Sequence, residues 1–265
     1  MKKLLAGLSC FLIILGLTAC DSADKPSEAK LKIACNEVSC AIIEPGLSWI
    51  KQHGLNVELV MMDNNVNIIK SVNDGSVDAG VGVHSKFMES FNQQNNGKLV
   101  MVKPYPFTTG IGFYSERYTS LDALPEQAKI AIMNDAMNMD RGLRMLQSAG
   151  LIELDKTKND SYSLLDITKN PKQLEFIDMD QTQTVRSLQD VDGAVVFFTH
   201  MRNANKDFRS YIVRDKSANE FPMGLVVRQD NTEQPWANTL AEALRSESVR
   251  QGITKNFDGV FEYLD

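Results

Sequence analysis

From residue 31 onward, apolar and polar positions follow a regular order along the chain. Short apolar runs at 31–35, 57–61 and 77–83 are typical of buried strands, and they alternate with amphipathic stretches at 41–51 and 66–72 that are typical of helices. Units of this kind build largely parallel sheets that helices cover on both faces, with right-handed crossovers. The pattern therefore predicts an α/β fold.

The alternation is interrupted at residues 98–114, where two apolar stretches flank two prolines and a glycine. A second strand-and-helix series follows this interruption. Two more strand-like runs and a helical stretch at 232–244 come last and have no partners of their own. We therefore expect two α/β lobes joined by two crossings of the chain, with residues 31–110 plus 206–265 in lobe 1 and residues 111–205 in lobe 2.

The N-terminal residues have the composition of an export signal. Lys2 and Lys3 precede an apolar run at 4–17, which is shorter than the ~20 residues that a helix needs to cross a bilayer. Residues 1–19 are therefore predicted to be a cleaved lipoprotein signal peptide. The alternative is an uncleaved membrane anchor followed by a chance cysteine.

The run ends in Leu-Thr-Ala-Cys, which looks like a lipobox. Such a motif implies that Cys20 carries the lipid and becomes the mature N-terminus, and its acyl chains would give stable anchoring. Residues 20–30 lack periodicity and are expected to form a lipidated, flexible tether. Asp21 resembles the signal that retains lipoproteins on the inner membrane, so the expected location is the periplasmic face of the cell membrane.

Charge and cysteine content narrow the range of partners. Without Lys2 and Lys3, 26 basic residues face 34 acidic ones, so the mature chain carries a net charge of −8 and offers no basic patch for nucleic acid. Cys35 and Cys40 remain in an oxidising compartment once the signal is removed and the lipid attached. They are a possible disulfide, although spacing alone does not establish the geometry.

One stretch has the sequence of an anion site. A predicted strand ends at Met133, a turn with Asn134 follows, and a helix begins near Asn138 with Arg141 in its first turns. Free N–H groups and the helix dipole favour an anion at such a terminus, and an arginine fork matches a carboxylate. The alternative is an ordinary helix cap with a solvated arginine.

Four stretches together resemble the NlpA family of substrate-binding lipoproteins, best known for binding methionine on behalf of an ABC importer. They are Ser-Leu-Asp-Ala-Leu-Pro-Glu at 120–126, Asn-Asp-Ala-Met-Asn-Met-Asp-Arg at 134–141, Arg-Ser-Leu-Gln-Asp-Val-Asp-Gly-Ala-Val at 186–195, and Gly-Ser-Val-Asp-Ala at 75–79 with a histidine shortly after. The likeness covers most of residues 31–265. It implies a two-lobe, periplasmic-binding-protein-like fold of type II with two hinge crossings.

The resemblance also implies a set of ligand-binding residues in the cleft. Arg141 and Asn138 fall on family ligand positions, His84 matches a pocket histidine, and Phe107 falls where the family has a tyrosine near the hinge. The remaining members of the expected set are Asn134, Asn65 and Thr199.

Three positions depart from the family pattern. Asn65 stands in place of an aromatic residue, Gly82 in place of a phenylalanine, and Thr199 in place of the asparagine that holds the ligand's amino group. Much of the family's aromatic wall around the thioether is thus missing. Specificity for methionine does not follow from the resemblance alone.

The favoured function is a solute-binding lipoprotein that delivers a small carboxylate-bearing solute, such as an amino acid, to the permease and ATPase subunits of an ABC importer. A pyrimidine precursor, a sulfonate or a nitrate-like anion is an alternative ligand, and a non-transport receptor or chaperone-like lipoprotein is an alternative role. No hydrolase, zinc-protease or nucleotide-binding motif favours an enzyme. We expect a monomer without cofactor or metal, since the three histidines lack metal-ligand spacing.

Overall fold

The computed structural model describes residues 30–158 and 161–264. The predicted signal peptide, the lipidation site at Cys20 and the residue that follows it, Asp21, lie outside these ranges. Within them, every helix is too short or too polar to cross a membrane.

The first part of the chain alternates strands and helices as the apolar pattern predicts. Its elements are β1 (Leu31–Cys35), α1 (Glu37–Ile43), α2 (Leu47–Gln52), β2 (Val57–Met61), α3 (Asn65–Asn73), β3 (Ala79–His84), α4 (Ser85–Asn95) and β4 (Leu99–Thr109). Strand β1 pairs in parallel with both β2 and β3. All six residues of β3 are buried, because helices and neighbouring strands cover both of its faces.

The second series continues in the same manner. Its elements are β5 (Ile111–Tyr114), β6 (Lys129–Met133), α5 (Ala136–Ser148), β7 (Glu153–Leu154), β8 (Ile167–Lys169), β9 (Glu175–Met179), α6 (Gln181–Ser187), β10 (Gly193–Phe197), α7 (Phe198–Asn203) and β11 (Val213–Arg214). The chain ends with β12 (Met223–Arg228), α8 (Pro235–Ala243), α9 (Glu247–Phe257) and β13 (Phe261–Tyr263).

These strands form two main sheets. The first has the order β13-β4-β12-β3-β1-β2 and the second has the order β11-β5-β10-β6-β9, while β7 and β8 form a separate pair. The chain crosses from the first sheet to the second between β4 and β5, and it returns between β11 and β12. The predicted α/β fold class is therefore confirmed, with antiparallel strands β12 and β5 added to the parallel centres.

One predicted boundary differs from the sheet pairing. The chain was expected to return to lobe 1 at residue 206, but β11 pairs antiparallel with β5 in the second sheet. The N–H of Asp215 also donates to the carbonyl oxygen of Ile111 at 3.0 Å. This strand has two residues, so its own apolar pattern carried no information about which sheet it would join.

Candidate functional site

A cavity of about 300 Å³ lies between the two sheets, at the carboxyl ends of their strands. Residues after β1 and β2 and at the end of β3 form one wall, residues after β9 and β10 form the other, and the two crossings close the base. Ligands of open α/β sheets bind at this edge. A crevice forms there because the strand order reverses and neighbouring connections run to opposite faces of the sheet. The cavity is therefore the candidate binding site.

Four of the seven predicted ligand residues lie on the cavity surface. They are Arg141, His84, Thr199 and Asn65. Asn138 stands behind this surface, where it contacts His84.

Phe107 and Asn134, which the resemblance places at the ligand, do not line the cavity. Phe107 is fully buried within β4 and packs edge-on against Phe261, with ring centroids 5.2 Å apart. Asn134 is exposed in the turn before α5, and its N–H donates to the carbonyl oxygen of Met179. Contacts with strands distant in the sequence, β13 for Phe107 and β9 for Asn134, determine where these two residues lie. The local sequence does not indicate such contacts.

Arg141 is held in place by groups of the protein itself. Its Nε donates to Oδ2 of Asp215 at 2.8 Å and its Nη2 donates to the carbonyl oxygen of Thr109 at 3.0 Å. The guanidinium also lies over the ring of Phe221, 4.0 Å from the centroid, and the side chain is 1 % exposed. Burial lowers the pKa of the Arg141 guanidinium, and the carboxylate of Asp215 opposes that shift. An arginine remains charged under such conditions.

Only part of the Arg141 guanidinium is hydrogen-bonded to these partners. Nη1 has no hydrogen-bond partner in the part of the chain that the structure describes, and Arg141 borders the cavity. The other oxygen of Asp215 accepts from the N–H and the hydroxyl of Ser217, at 2.8 and 2.7 Å. Asp215 was missed in the sequence because 74 residues separate it from Arg141.

His84 connects the two lobes through a neutral ring. Its Nδ1 accepts from the N–H of Phe87 at 3.1 Å and caps α4, so Nε2 carries the proton and donates to Oδ1 of Asn138 at 3.0 Å. Burial, with a smaller effect of Arg141, lowers the pKa of His84 to about 3. Asn138 in turn donates from Nδ2 to Oδ2 of Asp135 at 3.0 Å, which fixes the orientation of its amide.

The first turn of α7 supplies the opposite wall. Thr199 and His200 line the cavity there, together with Phe197 at the end of β10. The His200 ring meets Phe197 edge-on at 5.8 Å, and burial lowers the pKa of His200 to about 4. His200 was not among the predicted site residues, because a lone histidine in a sequence carries no signal of its surroundings.

The first-lobe wall is polar and is braced by a disulfide. Cys35 and Cys40 are bonded to each other, with Cα atoms 5.2 Å apart, so they bracket the loop that leads from β1 into α1. Asn36 in this loop caps α1, since its Oδ1 accepts from the N–H of Ser39 at 2.9 Å. The side chains of Asn36, Ser39 and Asn65 all border the cavity.

A hydrogen bond joins the two lobes at the rim of the cleft. Nδ2 of Asn203, at the end of α7, donates to Oε2 of Glu37, at the start of α1, at 2.9 Å. Both side chains are exposed and both border the cavity. The lobes are therefore in contact at the rim as well as at the deeper pair formed by His84 and Asn138.

Charge in the cavity is mixed. The charged side chains that line it are Glu37, Asp63, Arg141 and Arg186. Once Asp215 is counted against Arg141, carboxylates outnumber cations. Among residues 30–158 and 161–264, no group of three or more histidine, cysteine or acidic side chains is arranged to hold a metal ion.

Two α/β lobes that meet around a polar cavity of this size define a solute-binding protein. The chain belongs to the NlpA lipoprotein family, whose sequence profile matches residues 31–262. It is therefore a binding protein and not an enzyme.

Relatives within the family extend over nearly the whole chain. The methionine-binding lipoprotein MetQ of Bacillus subtilis is 28% identical over 98% of this chain and 97% of its own length. The D-methionine-binding lipoprotein MetQ of Escherichia coli K12 is 28% identical over 97% of this chain and 96% of its own. A nutrient-binding protein from Burkholderia cenocepacia, solved bound to methionine, superimposes with a TM-score of 0.82 at 28% identity, covering 89% of this chain and all of that one.

Proposed function

We propose that this protein binds an α-amino acid between its lobes and delivers it to the permease and ATPase subunits of an ABC importer. The observation that carries the proposal is the uncommitted Nη1 of Arg141 at a cavity whose other charged groups include Glu37 and Asp63. A zwitterion needs both signs of charge, because its carboxylate pairs with a guanidinium and its ammonium with a carboxylate. The names of the relatives point to the same class of ligand.

The alternative ligands fit this cavity less well. A nitrate-like or sulfonate anion would face carboxylates that outnumber the cations, and desolvating it there is unfavourable. A pyrimidine precursor without a carboxylate offers Nη1 of Arg141 only neutral acceptors, which make weaker hydrogen bonds than a carboxylate does. An α-amino acid has neither disadvantage, because its ammonium balances the carboxylates and its own carboxylate pairs with Arg141.

The proposal is tested by calorimetric titration of protein that has been unfolded and refolded to empty the cleft. The panel contains the L- and D-amino acids, nitrate, an alkyl sulfonate and a pyrimidine. We expect binding of at least one amino acid and of none of the other compounds. Binding of an anion or a pyrimidine with no response to any amino acid would contradict the proposal, and normal uptake by cells that lack the protein would contradict the transport role.

We also propose that Cys20 carries the lipid anchor on the periplasmic face of the inner membrane. The support is membership of a lipoprotein family together with the motif at residues 17–20. Cys20→Ala should lose fatty-acid labelling and leave the membrane fraction, whereas Cys10→Ala, within the predicted signal, should retain both. Labelling that persists in Cys20→Ala would refute the anchor, and recovery with the outer membrane would refute the location.

A further inference from the structure

Three asparagines on the first-lobe wall have amide orientations that backbone and side-chain hydrogen bonds define. Oδ1 of Asn36 accepts from the N–H of Ser39 at 2.9 Å, so its Nδ2 must face the other way, toward Oδ1 of Asn65, also at 2.9 Å. Asn65 therefore uses its oxygen on Asn36. Its own Nδ2 has no acceptor in the ranges that the structure describes, and Asn65 borders the cavity.

Asn64 repeats this arrangement next to it. As the cap of α3, its Oδ1 accepts from the N–H of Asn67 at 2.9 Å, which leaves Nδ2 as the group that it can present elsewhere. Asn64 also borders the cavity, and its Nδ2 has no acceptor within residues 30–158 and 161–264. The wall thus offers two amide donors whose direction is set before any solute enters.

Gly82 allows the asparagine network to lie against the strand. A Cβ at this position would come 2.5 Å from Oγ of Ser39 and 3.3 Å from Nδ2 of Asn36, and its φ of +116° disfavours any other residue. Ser39 is itself fixed, since its hydroxyl donates to the carbonyl oxygen of Val81 at 2.9 Å. No side chain projects from position 82 to cover the donors.

We infer that Asn64 and Asn65 form the subsite for the distal end of the ligand's side chain, and that this end is an uncharged hydrogen-bond acceptor such as a carboxamide or a sulfoxide. A thioether accepts hydrogen bonds weakly and would leave both donors desolvated and unpaired. A second carboxylate would add negative charge to a cavity whose carboxylates already outnumber its cations. The inference rests on the proposed function, because it takes the α-carboxylate as bound at Arg141.

The test compares ligands that differ only at the distal group. Emptied protein is titrated with L-methionine and L-methionine sulfoxide as one pair, and with L-glutamine and L-glutamate as the other. We expect the sulfoxide to bind about fivefold to tenfold more tightly than methionine, the size of one net neutral hydrogen bond, and glutamine more tightly than glutamate. Methionine binding as tightly as its sulfoxide would overturn the inference while leaving the proposed function standing.

Variants assign the effect to particular residues. Asn65→Leu keeps the size of the side chain and removes both the donor and the oxygen that accepts from Asn36, and Asn64→Asp keeps a capping oxygen for α3 and removes the amide donor there. Each should reduce the preference for the sulfoxide, whereas Asn67→Leu, on the exposed face of the same helix, should keep it. A preference unchanged in both donor variants would overturn the assignment. If no amino acid binds the wild-type protein at all, the proposed function fails and the inference fails with it.

Discussion

Arg141 acts on two parts of the molecule at once. Its contacts with Thr109 and Asp215 tie helix α5 to the ends of β4 and β11, which are the two points where the chain leaves one sheet for the other. A guanidinium held in this way loses little freedom when a ligand carboxylate arrives, so binding costs less entropy. The position of Arg141 could be predicted from the sequence, but its dependence on Asp215 could not, because only folding brings the two residues together.

The ion pair should contribute to stability through its burial. Arg141→Ala leaves the carboxylate of Asp215 buried and unpaired, so we expect the free energy of unfolding to fall by about 3–5 kcal/mol. Asp215→Ala should cost a similar amount, and the double variant much less than the sum, because no uncompensated charge then remains. Urea denaturation of the four proteins measures this coupling.

A control for this cycle is Lys169→Ala, which removes the exposed pair between Lys169 and Glu153 and should change stability little. Strictly additive effects of Arg141→Ala and Asp215→Ala would show that the two residues do not act as a pair.

The longer strands and helices could be predicted from the sequence, because the spacing of apolar residues within each one indicates which of its residues are buried. The strand-like runs at 31–35 and 57–61 coincide with β1 and β2, since apolar residues there face covering helices. The strands β11 and β13 have two and three residues, and their places are set by partners one hundred or more residues away in β5 and β4. Short strands of this kind carry too few residues for a periodicity.

The connection between β1 and α1 is short, and its geometry depends on the disulfide between Cys35 and Cys40. Replacing both cysteines with serine should lower the free energy of unfolding by about 2 kcal/mol, the loop-closure contribution of a short ring. It should also weaken amino-acid binding, because Asn36 and Ser39 lie within this ring. Thermal unfolding and calorimetric titration measure the two effects.

Wild-type protein treated with a reductant should shift in the same direction as this variant, and the variant itself should not respond to the reductant. A wild type with two alkylatable thiols after purification from the periplasm, or a variant with unchanged stability and affinity, would contradict the role assigned to the bridge.

The two lobes meet around the cavity in a buried contact and in an exposed contact at the rim. The buried pair between His84 and Asn138 is neutral, since burial holds the pKa of His84 at about 3. The rim pair between Asn203 and Glu37 is a charge-assisted hydrogen bond that must break before the cleft can open. The rim pair is therefore expected to affect the release of a bound solute more than its entry.

Asn203→Ala should raise the dissociation rate of the bound amino acid about threefold to tenfold, the effect of losing one hydrogen bond, with a much smaller change in the association rate. The matched control is Asn95→Ala, which removes an exposed asparagine whose Nδ2 donates to the carbonyl oxygen of Phe91 within its own helix. Stopped-flow competition with excess unlabelled amino acid measures both rates. An unchanged dissociation rate in Asn203→Ala would show that the rim contact does not hold the lobes together. A change confined to the association rate would indicate that Asn203 acts on entry through the open cleft, because a contact made only after closure cannot slow the encounter itself.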